Sequence, residues 1–221
     1  MSPRLPLPDP AAARDVLTFA GRAARLGDGA LRLQARGGLL AMTAAPLAPR
    51  GLLDATPTVL GMRVIGVDAE LECDLVVDAG ALGAADDPRE IALPDSAVRA
   101  AWAGVSPPRS GWDQVGELSA VVLDARAQHG MAAVAHALPV DPGEDVVRTV
   151  RAQIWGTPDE DLADLPLGVA FAAQALGFLH GDEPVVLRRS GPWTRLSLQR
   201  GHVLVRGPQR TGMTPVRTTG S

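Results

Sequence analysis

Three residue types are missing from this chain of 221 residues: lysine, asparagine and tyrosine. Without lysine there is no Schiff-base chemistry, no P-loop and no protein-kinase site. Without tyrosine there is no phenolic acid or nucleophile, and without asparagine there is no N-glycosylation acceptor. All three residues have A/T-rich codons, and alanine, glycine, proline and arginine are abundant. The pattern therefore indicates a bacterial genome of high G+C content rather than a function.

Cysteine is also scarce, since Cys73 stands alone. One cysteine permits no internal disulfide, and it excludes multi-cysteine zinc sites and cysteine-ligated iron–sulfur clusters. Cys73 falls on the apolar side of a predicted strand, which favours a small core residue over a nucleophile. We expect no cofactor.

Long hydrophobic runs are absent. The longest apolar stretch, 167–179, is interrupted by Gln174 and is too short to span a membrane. The first ten residues are rich in proline and lack the apolar centre of a secretion signal. With 46% hydrophobic and 21% charged residues, the composition is that of a globular protein. We therefore expect a cytoplasmic protein with no membrane contact.

The order of periodic segments predicts an α+β fold in two units. Residues 1–105 are predicted to form an N-terminal helix plus an antiparallel sheet. Ser-Pro-Pro-Arg-Ser-Gly at 106–111 is predicted to be a linker. Residues 112–206 are predicted to form a helical unit that ends in a small antiparallel β-sheet with a terminal hairpin. Residues 207–221 are predicted to be a disordered tail.

Capping residues and apolar spacing locate the individual elements. Asp9 followed by Pro10 predicts a helix start, and Asp95 predicts a short helix that ends at Gly104. Three further helices are predicted at 112–138, 143–155 and 167–179. The first of these would bury Val115 and Val121, and Gly130 would weaken it. Strands are predicted at 30–35, 39–44, 58–67, 70–78, 185–189, 193–199 and 202–206.

Two stretches of the sequence resemble each other. Residues 19–28 and 171–182 share a Phe-Ala start and a Gly-Asp end, and each precedes a strand, a glycine turn beside an arginine and a second strand. Duplication of a helix–hairpin unit would explain this likeness. Chance matching in a chain rich in alanine and glycine is the alternative.

Charge is strongly segregated along the chain. Residues 1–50 carry a net charge of +4, residues 51–184 carry −15 and residues 185–221 carry +7, which gives the net −4 of the whole chain. The simpler expectation is that the basic ends fold against the acidic middle and neutralise it. The alternative is that they bind an anionic partner.

Two groups of side chains have the chemistry of metal ligands. Glu70, Glu72 and Asp74 alternate along one predicted strand, but such residues usually form the solvated face of a sheet. His129 and His136 are seven residues apart on a predicted helix, roughly 10 Å along its axis, which is too far for joint coordination of zinc while the helix is regular. A break of the helix at Gly130 would reopen that geometry. We therefore expect no metal site.

The most distinctive feature is the basic terminal hairpin region. Its candidate contacts with an anion or a nucleic acid are Arg188, Arg189, Trp193, Arg195, Arg200 and Arg206. Since the chain carries no recognisable catalytic motif, the leading hypothesis is a non-catalytic interaction protein that binds a protein partner or itself. The alternatives are a sequence-nonspecific nucleic-acid binder and an enzyme that depends on a metal or histidine.

Overall fold

Eight antiparallel strands form one sheet that runs through both halves of the chain. The computed structural model describes residues 3–51 and 53–207. The strands are β1 (Arg4–Pro6), β2 (Ala30–Arg36), β3 (Leu39–Leu47), β4 (Thr58–Gly66), β5 (Cys73–Asp78), β6 (Gly83–Ala84), β7 (Glu90–Ala92), β8 (Asp113–Ser119), β9 (Pro158–Asp159), β10 (Leu165–Pro166), β11 (Pro184–Ser190), β12 (Trp193–Leu198) and β13 (Gly201–Arg206). The α-helices are α1 (Pro10–Ala23), α2 (Ala120–Ala137), α3 (Glu144–Gly156) and α4 (Gly168–Ala175). The α+β fold class is confirmed.

The first helix begins where the sequence predicts. The Asp9 carboxylate accepts hydrogen bonds from the backbone N–H groups of Ala11 and Ala12, each at 2.8 Å. Pro10 occupies the first helical position, where its missing N–H costs nothing. The helix then buries Phe19 against the sheet.

The prediction of a helix over 112–138 is wrong at its start, where residues 113–119 form strand β8. β8 pairs with β11, with Leu118 opposite Val185. The helix begins only after Ser119, whose hydroxyl accepts a hydrogen bond from the N–H of Val122. Val115 and Val121 were predicted to be buried, but they are 50% and 56% exposed. Pairing with a distant strand has overridden the local helical spacing.

The predicted helix between Asp95 and Gly104 is also wrong. Only Ala101–Gly104 form a single turn of 3₁₀ helix, and no side chain caps it. The N–H of Val98 instead donates to the carbonyl of Val76 at the edge of β5, at 2.8 Å. This bond ties residue 98 to the sheet edge.

The predicted linker, residues 106–111, packs against the sheet. The Ser106 hydroxyl lies 3.0 Å from a guanidinium nitrogen of Arg32, and the Trp112 indole donates to the Pro108 carbonyl at 3.0 Å. Together with Trp102, this segment covers part of one side of the sheet, which we call the linker face. The opposite side, the helix face, packs against α1, α2 and α4.

The order of strands in the large sheet, β5-β2-β3-β4-β13-β12-β11-β8, is approximately symmetric about its centre. Helix α1 precedes β2, β3 and β4, and helix α4 precedes β11, β12 and β13. The two sets meet where β4 pairs with β13, and β5 and β8 lie at the outer edges. The terminal hairpin is therefore part of the large sheet rather than of a small sheet of its own. Duplication of a helix–hairpin unit would produce this order, and it stays a hypothesis. The division of the chain into units at 1–105 and 112–206 also stays a hypothesis. Except for Gly207, the predicted tail lies outside the described residues.

Candidate functional site

Part of the basic N-terminal segment is paired with the acidic middle of the chain. Arg4 lies 3.1 Å from the carboxylate of Glu90, and Arg32 lies 2.7 Å from that of Asp74. The hydrogen bond from Arg32 also lowers the pKa of Asp74. For Arg4 and Arg32 the simpler of the two expectations therefore holds.

The basic C-terminal hairpin behaves differently. Within residues 3–51 and 53–207, no ion pair involves Arg188, Arg189, Arg195 or Arg200. Arg188 on β11 lies directly opposite Arg195 on β12. Like charges in this position destabilise a sheet, so this pair lowers stability without a compensating carboxylate.

Two further polar side chains complete the group. Ser197 lies opposite His202 on β13, and the Ser197 hydroxyl is 3.3 Å from a guanidinium nitrogen of Arg188. Strand pairing places all four side chains on the linker face. We call Arg188, Arg195, Ser197 and His202 the basic cluster.

Aromatic and apolar residues surround the basic cluster. The Arg195 guanidinium stacks over the Trp112 ring, 4.6 Å from its centroid. Met62 on β4 lies opposite His202. Trp193 is buried at 4% exposure in the apolar cluster of the linker face, with Trp112 packed at its margin.

Two nitrogens of the basic cluster are buried without a hydrogen-bond partner: Nε of Arg195 and Nδ1 of His202. Across the described part of the chain, only four buried side-chain polar atoms lack a partner. Half of them therefore lie in this one cluster. Unsatisfied buried polar groups cost stability, and such a group in a native protein calls for a specific explanation, of which a bound ion or water is one.

The electrostatics of the cluster penalise positive charge. Burial, together with the nearby Arg188 charge, lowers the pKa of Arg195. Burial, Arg195 and Arg188 lower the pKa of His202. A bound anion would stabilise the positive charge on both side chains and would therefore oppose the lowering of each pKa.

The structure separates the six residues predicted from the sequence. Arg188 and Arg195 lie together, whereas Arg189, opposite Thr194, points to the helix face. Arg200 lies in the turn between β12 and β13, where its carbonyl accepts a hydrogen bond from Arg63. Trp193 is buried on the linker face, and Arg206 lies opposite Trp193 at the end of β13. The sequence missed His202 and Trp112, which depend on strand register and on the fold of the linker.

Comparison with known proteins gives two matches to family models. Both families are of unknown function. Residues 1–104 match Domain of unknown function (DUF8010), and residues 107–210 match Domain of unknown function (DUF8185). Each match spans just under half of the chain. No curated protein matches the sequence.

Several solved structures of bacterial DNA polymerase III beta subunits are similar in fold. The sliding clamp from Bartonella birtlesii bound to griselimycin is 12% identical, with a TM-score of 0.47 over 95% of this chain. The subunit from Borrelia burgdorferi in complex with a natural product is 9% identical, with a TM-score of 0.49 over 96%. The clamp from Caulobacter crescentus is 12% identical, with a TM-score of 0.45 over 100%. The chain spans only 65% of the first two proteins and 69% of the third. Likeness at this level carries no ligand or partner over to this chain.

The residues with metal-ligand chemistry are dispersed. Asp74 is engaged by Arg32, and His129 and His136 are both exposed on α2. Among the described residues, no three His, Cys, Asp or Glu side chains are grouped closely enough to hold a metal ion. Within the same residues, no helix is long and apolar enough to cross a membrane.

Cys73 is half-buried, and its thiol donates to the Leu33 carbonyl at 3.8 Å. Burial raises the pKa of the thiol, which keeps it in the less reactive protonated form at neutral pH.

Proposed function

We propose that this chain is a non-catalytic binding protein that docks an acidic segment of a protein partner on the basic cluster of its linker face. One observation carries the proposal. Arg188 and Arg195 lie side by side without a carboxylate partner, while Arg4 and Arg32 are paired. A carboxylate supplied by a partner would relieve the repulsion between the two arginines and accept their hydrogen bonds.

The shape of the charged surface favours a protein partner over a nucleic acid. A phosphate backbone is usually bound by a row of cations spaced along several phosphates. Here Arg189 points to the opposite face and Arg200 lies in a turn. Of the five arginines between residues 188 and 206, three therefore lie on the linker face: Arg188 and Arg195 form a compact pair, and Arg206 lies at the end of β13. Trp112, which stacks on Arg195, and Met62, which lies opposite His202, resemble the aromatic and methionine residues that are enriched at protein interfaces.

The edges of the sheet favour docking on its face. In β8, Val115 is a bulge residue, because Gln114 pairs with Arg188 and Gly116 pairs with Leu187. At the other edge, the backbone of Val98 bonds to β5. Bulges and covering segments are how natural proteins prevent pairing between sheet edges. Self-association through an added strand is therefore disfavoured.

The cytoplasmic location expected from the sequence stays a prediction.

Photo-crosslinking tests the proposal. A photoreactive residue at Gln114, which lies opposite Arg188 on the exposed edge strand, should capture the partner in a lysate of the native organism. We expect Arg188→Gln and Arg195→Gln each to weaken capture on the order of tenfold to a hundredfold, because each removes a charged hydrogen bond. Arg189→Gln is the matched control, since it removes the same charge from the neighbouring residue on the opposite face. Equal capture by all three variants would contradict the proposal.

A sequence-nonspecific nucleic-acid binder is the second candidate, favoured by the seven arginines and absence of acids in residues 185–221. Fluorescence anisotropy with labelled mixed-sequence DNA and RNA tests it from low to physiological salt. Micromolar binding that weakens steeply with salt, and that is lost in Arg188→Glu with Arg195→Glu, would support this candidate. If native protein does not bind even at low salt, this candidate is excluded.

A further inference from the structure

The donors of the basic cluster lie on neighbouring strands of the linker face. The guanidinium groups of Arg188 and Arg195 start from directly opposed positions, and the hydroxyl of Ser197 lies beside Arg188. Guanidinium groups bind carboxylate, phosphate and sulfate oxygens through paired N–H donors. The shared chemistry of a ligand at this cluster is that of an oxyanion.

His202 is the titratable member of the cluster. Its Nδ1 atom is buried without a partner, and it lies diagonal to Arg195 through their pairing with Ser197 and Leu204. Burial and the two arginines lower the pKa of His202, so its imidazole is neutral at neutral pH. An anion beside it would reverse this electrostatic penalty, because an opposite charge favours the protonated ring.

The strands that flank His202 supply few opposing charges. β12 contributes Arg195 and Ser197, β11 contributes Arg188, and β4 contributes the uncharged Met62. Glu117 on β8 lies in the same cross-strand row, but three strands away at a spacing of about 4.8 Å per strand. In the described chain, no carboxylate pairs with either arginine of the cluster.

We infer that the basic cluster is a proton-coupled oxyanion site, in which an oxyanion held by Arg188 and Arg195 binds together with a proton on His202. This inference deepens the proposed function and depends on it for the location of the site. Thermodynamic linkage fixes the direction of the pH dependence. If the bound anion favours protonation of His202, then a lower pH must increase the affinity of the site for the anion. The partner would then bind more tightly as the pH falls.

Sulfate is a suitable probe because it keeps both negative charges across the pH range in which histidine titrates. Calorimetric titration at matched ionic strength in chloride should give an affinity that increases as pH falls from about 8 to about 5.5. The slope should approach about tenfold per pH unit where a full proton is taken up. Side-chain NMR should show that sulfate shifts the titration of the His202 resonance to higher pH.

Two variants separate the roles of the residues. His202→Gln should bind sulfate with little pH dependence, because glutamine keeps a polar group and cannot titrate. Arg195→Gln should lose sulfate binding at every pH, while Arg189→Gln should behave like the native protein. Circular dichroism of each variant establishes that it is folded.

The possible outcomes distinguish this inference from the proposed function. Sulfate binding that does not depend on pH, or that has the same slope in His202→Gln, would overturn the proton coupling and leave partner docking standing. If the native protein binds no sulfate at any pH, the oxyanion site is overturned, whereas docking is judged separately by the crosslinks from Gln114. Titration with phosphoserine and glutamate peptides then distinguishes a phosphoryl source of the oxyanion from a carboxyl source.

Discussion

Phe178→Ala is expected to lower the free energy of unfolding by about 3–5 kcal/mol, the usual cost of removing a buried aromatic ring. Phe178 is 1% exposed and stacks on Phe19 with 6.0 Å between the ring centroids. The ring also fills the space that a side chain at position 201 would occupy, because a Cβ on Gly201 would lie 2.5 Å from it. With glycine on β13 and a stacked ring on α1, the site has little means of collapsing into the cavity. Chemical denaturation measures the loss.

Variants that retain a single tryptophan test whether the two halves of the chain unfold together. Phe178 belongs to the second half and Phe19 to the first, and the β4–β13 pairing also joins them. We therefore expect a single unfolding transition. In chemical denaturation followed by tryptophan fluorescence, a variant that retains only Trp102 in the first half and a variant that retains only Trp155 in the second half should each show one transition, at a midpoint that is the same for both probes once the stability of each variant is taken into account. Two separate midpoints would contradict a shared core and would support independent units at 1–105 and 112–206.

Phe171, which lies in the second half of the chain, provides a matched control for the Phe178→Ala measurement. Phe171 is only half-buried and stacks on Trp155 at 4.5 Å, without a contact to the first half of the kind that Phe178 makes. Phe171→Ala should lower the free energy of unfolding by less than Phe178→Ala does, because the native state buries less apolar area of Phe171 than of Phe178. An equal or larger cost would show that the Phe19–Phe178 contact is not central to stability.

Gly130→Ala is expected to destabilise the protein by about 1–3 kcal/mol, although alanine is the better helix former. A Cβ at this position would lie 2.1 Å from Cζ3 of Trp155 and 2.9 Å from a methyl group of Leu167. Trp155 is 2% exposed and its ring stacks on Phe171, so it cannot move aside without disturbing the core. Steric overlap therefore outweighs the gain in helix propensity of about 1 kcal/mol.

Gly21→Ala provides the opposite case for comparison. Gly21 lies in α1, and no atom outside its immediate surroundings comes within 4 Å of a Cβ placed there. The same substitution should therefore stabilise the protein by about 0.5–1 kcal/mol. Thermal or chemical denaturation of the two variants checks the contrast. Stabilisation by Gly130→Ala would show that Trp155 and Leu167 repack easily, contrary to their close packing.

Local signals in the sequence were sufficient for much of the fold. Asp9 and Pro10 located the start of α1, because a carboxylate cap and a missing N–H act within one turn. Residues 167–179, without any charge, were expected to form a buried helix, and α4 is buried in the core. The three terminal strands were also located, since each has its own apolar run and is separated from the next by a glycine turn.

The mistakes fall where distant residues decide the structure. Residues 113–119 have apolar side chains that suit a helix, but they extend an existing sheet by pairing with β11. Sequence periodicity cannot reveal a free sheet edge about 70 residues away. Gly130 was expected to weaken its helix, yet α2 is continuous through this residue, and the ring of Trp155 packs against the bare glycine.

The candidate site shows the same division more sharply. The expected turns at 190–192 and 200–201 would place Arg188 opposite Thr194 and Arg195 opposite Arg206. The observed turns are residues 191–192 and 199–200, so that Arg188 meets Arg195 and Ser197 meets His202. The first turn is one residue shorter than expected, which brings Arg188 to the face of Arg195, and the second has the expected length but begins one residue earlier. A change of one residue in a turn moves a side chain to the other face of its strand. The basic cluster therefore could not be located from composition alone.

Taken by itself, the sequence determined the α+β class, the main helices and the basic character of the C-terminal hairpin. These properties depend on composition and on contacts within a few residues. Only the tertiary structure decided that both halves share one sheet, that the linker packs Trp112 over Arg195, and that Arg4 and Arg32 are paired with carboxylates while Arg188 and Arg195 are not. Pairing between strands far apart in the chain determines which charges meet, and no local pattern encodes that register.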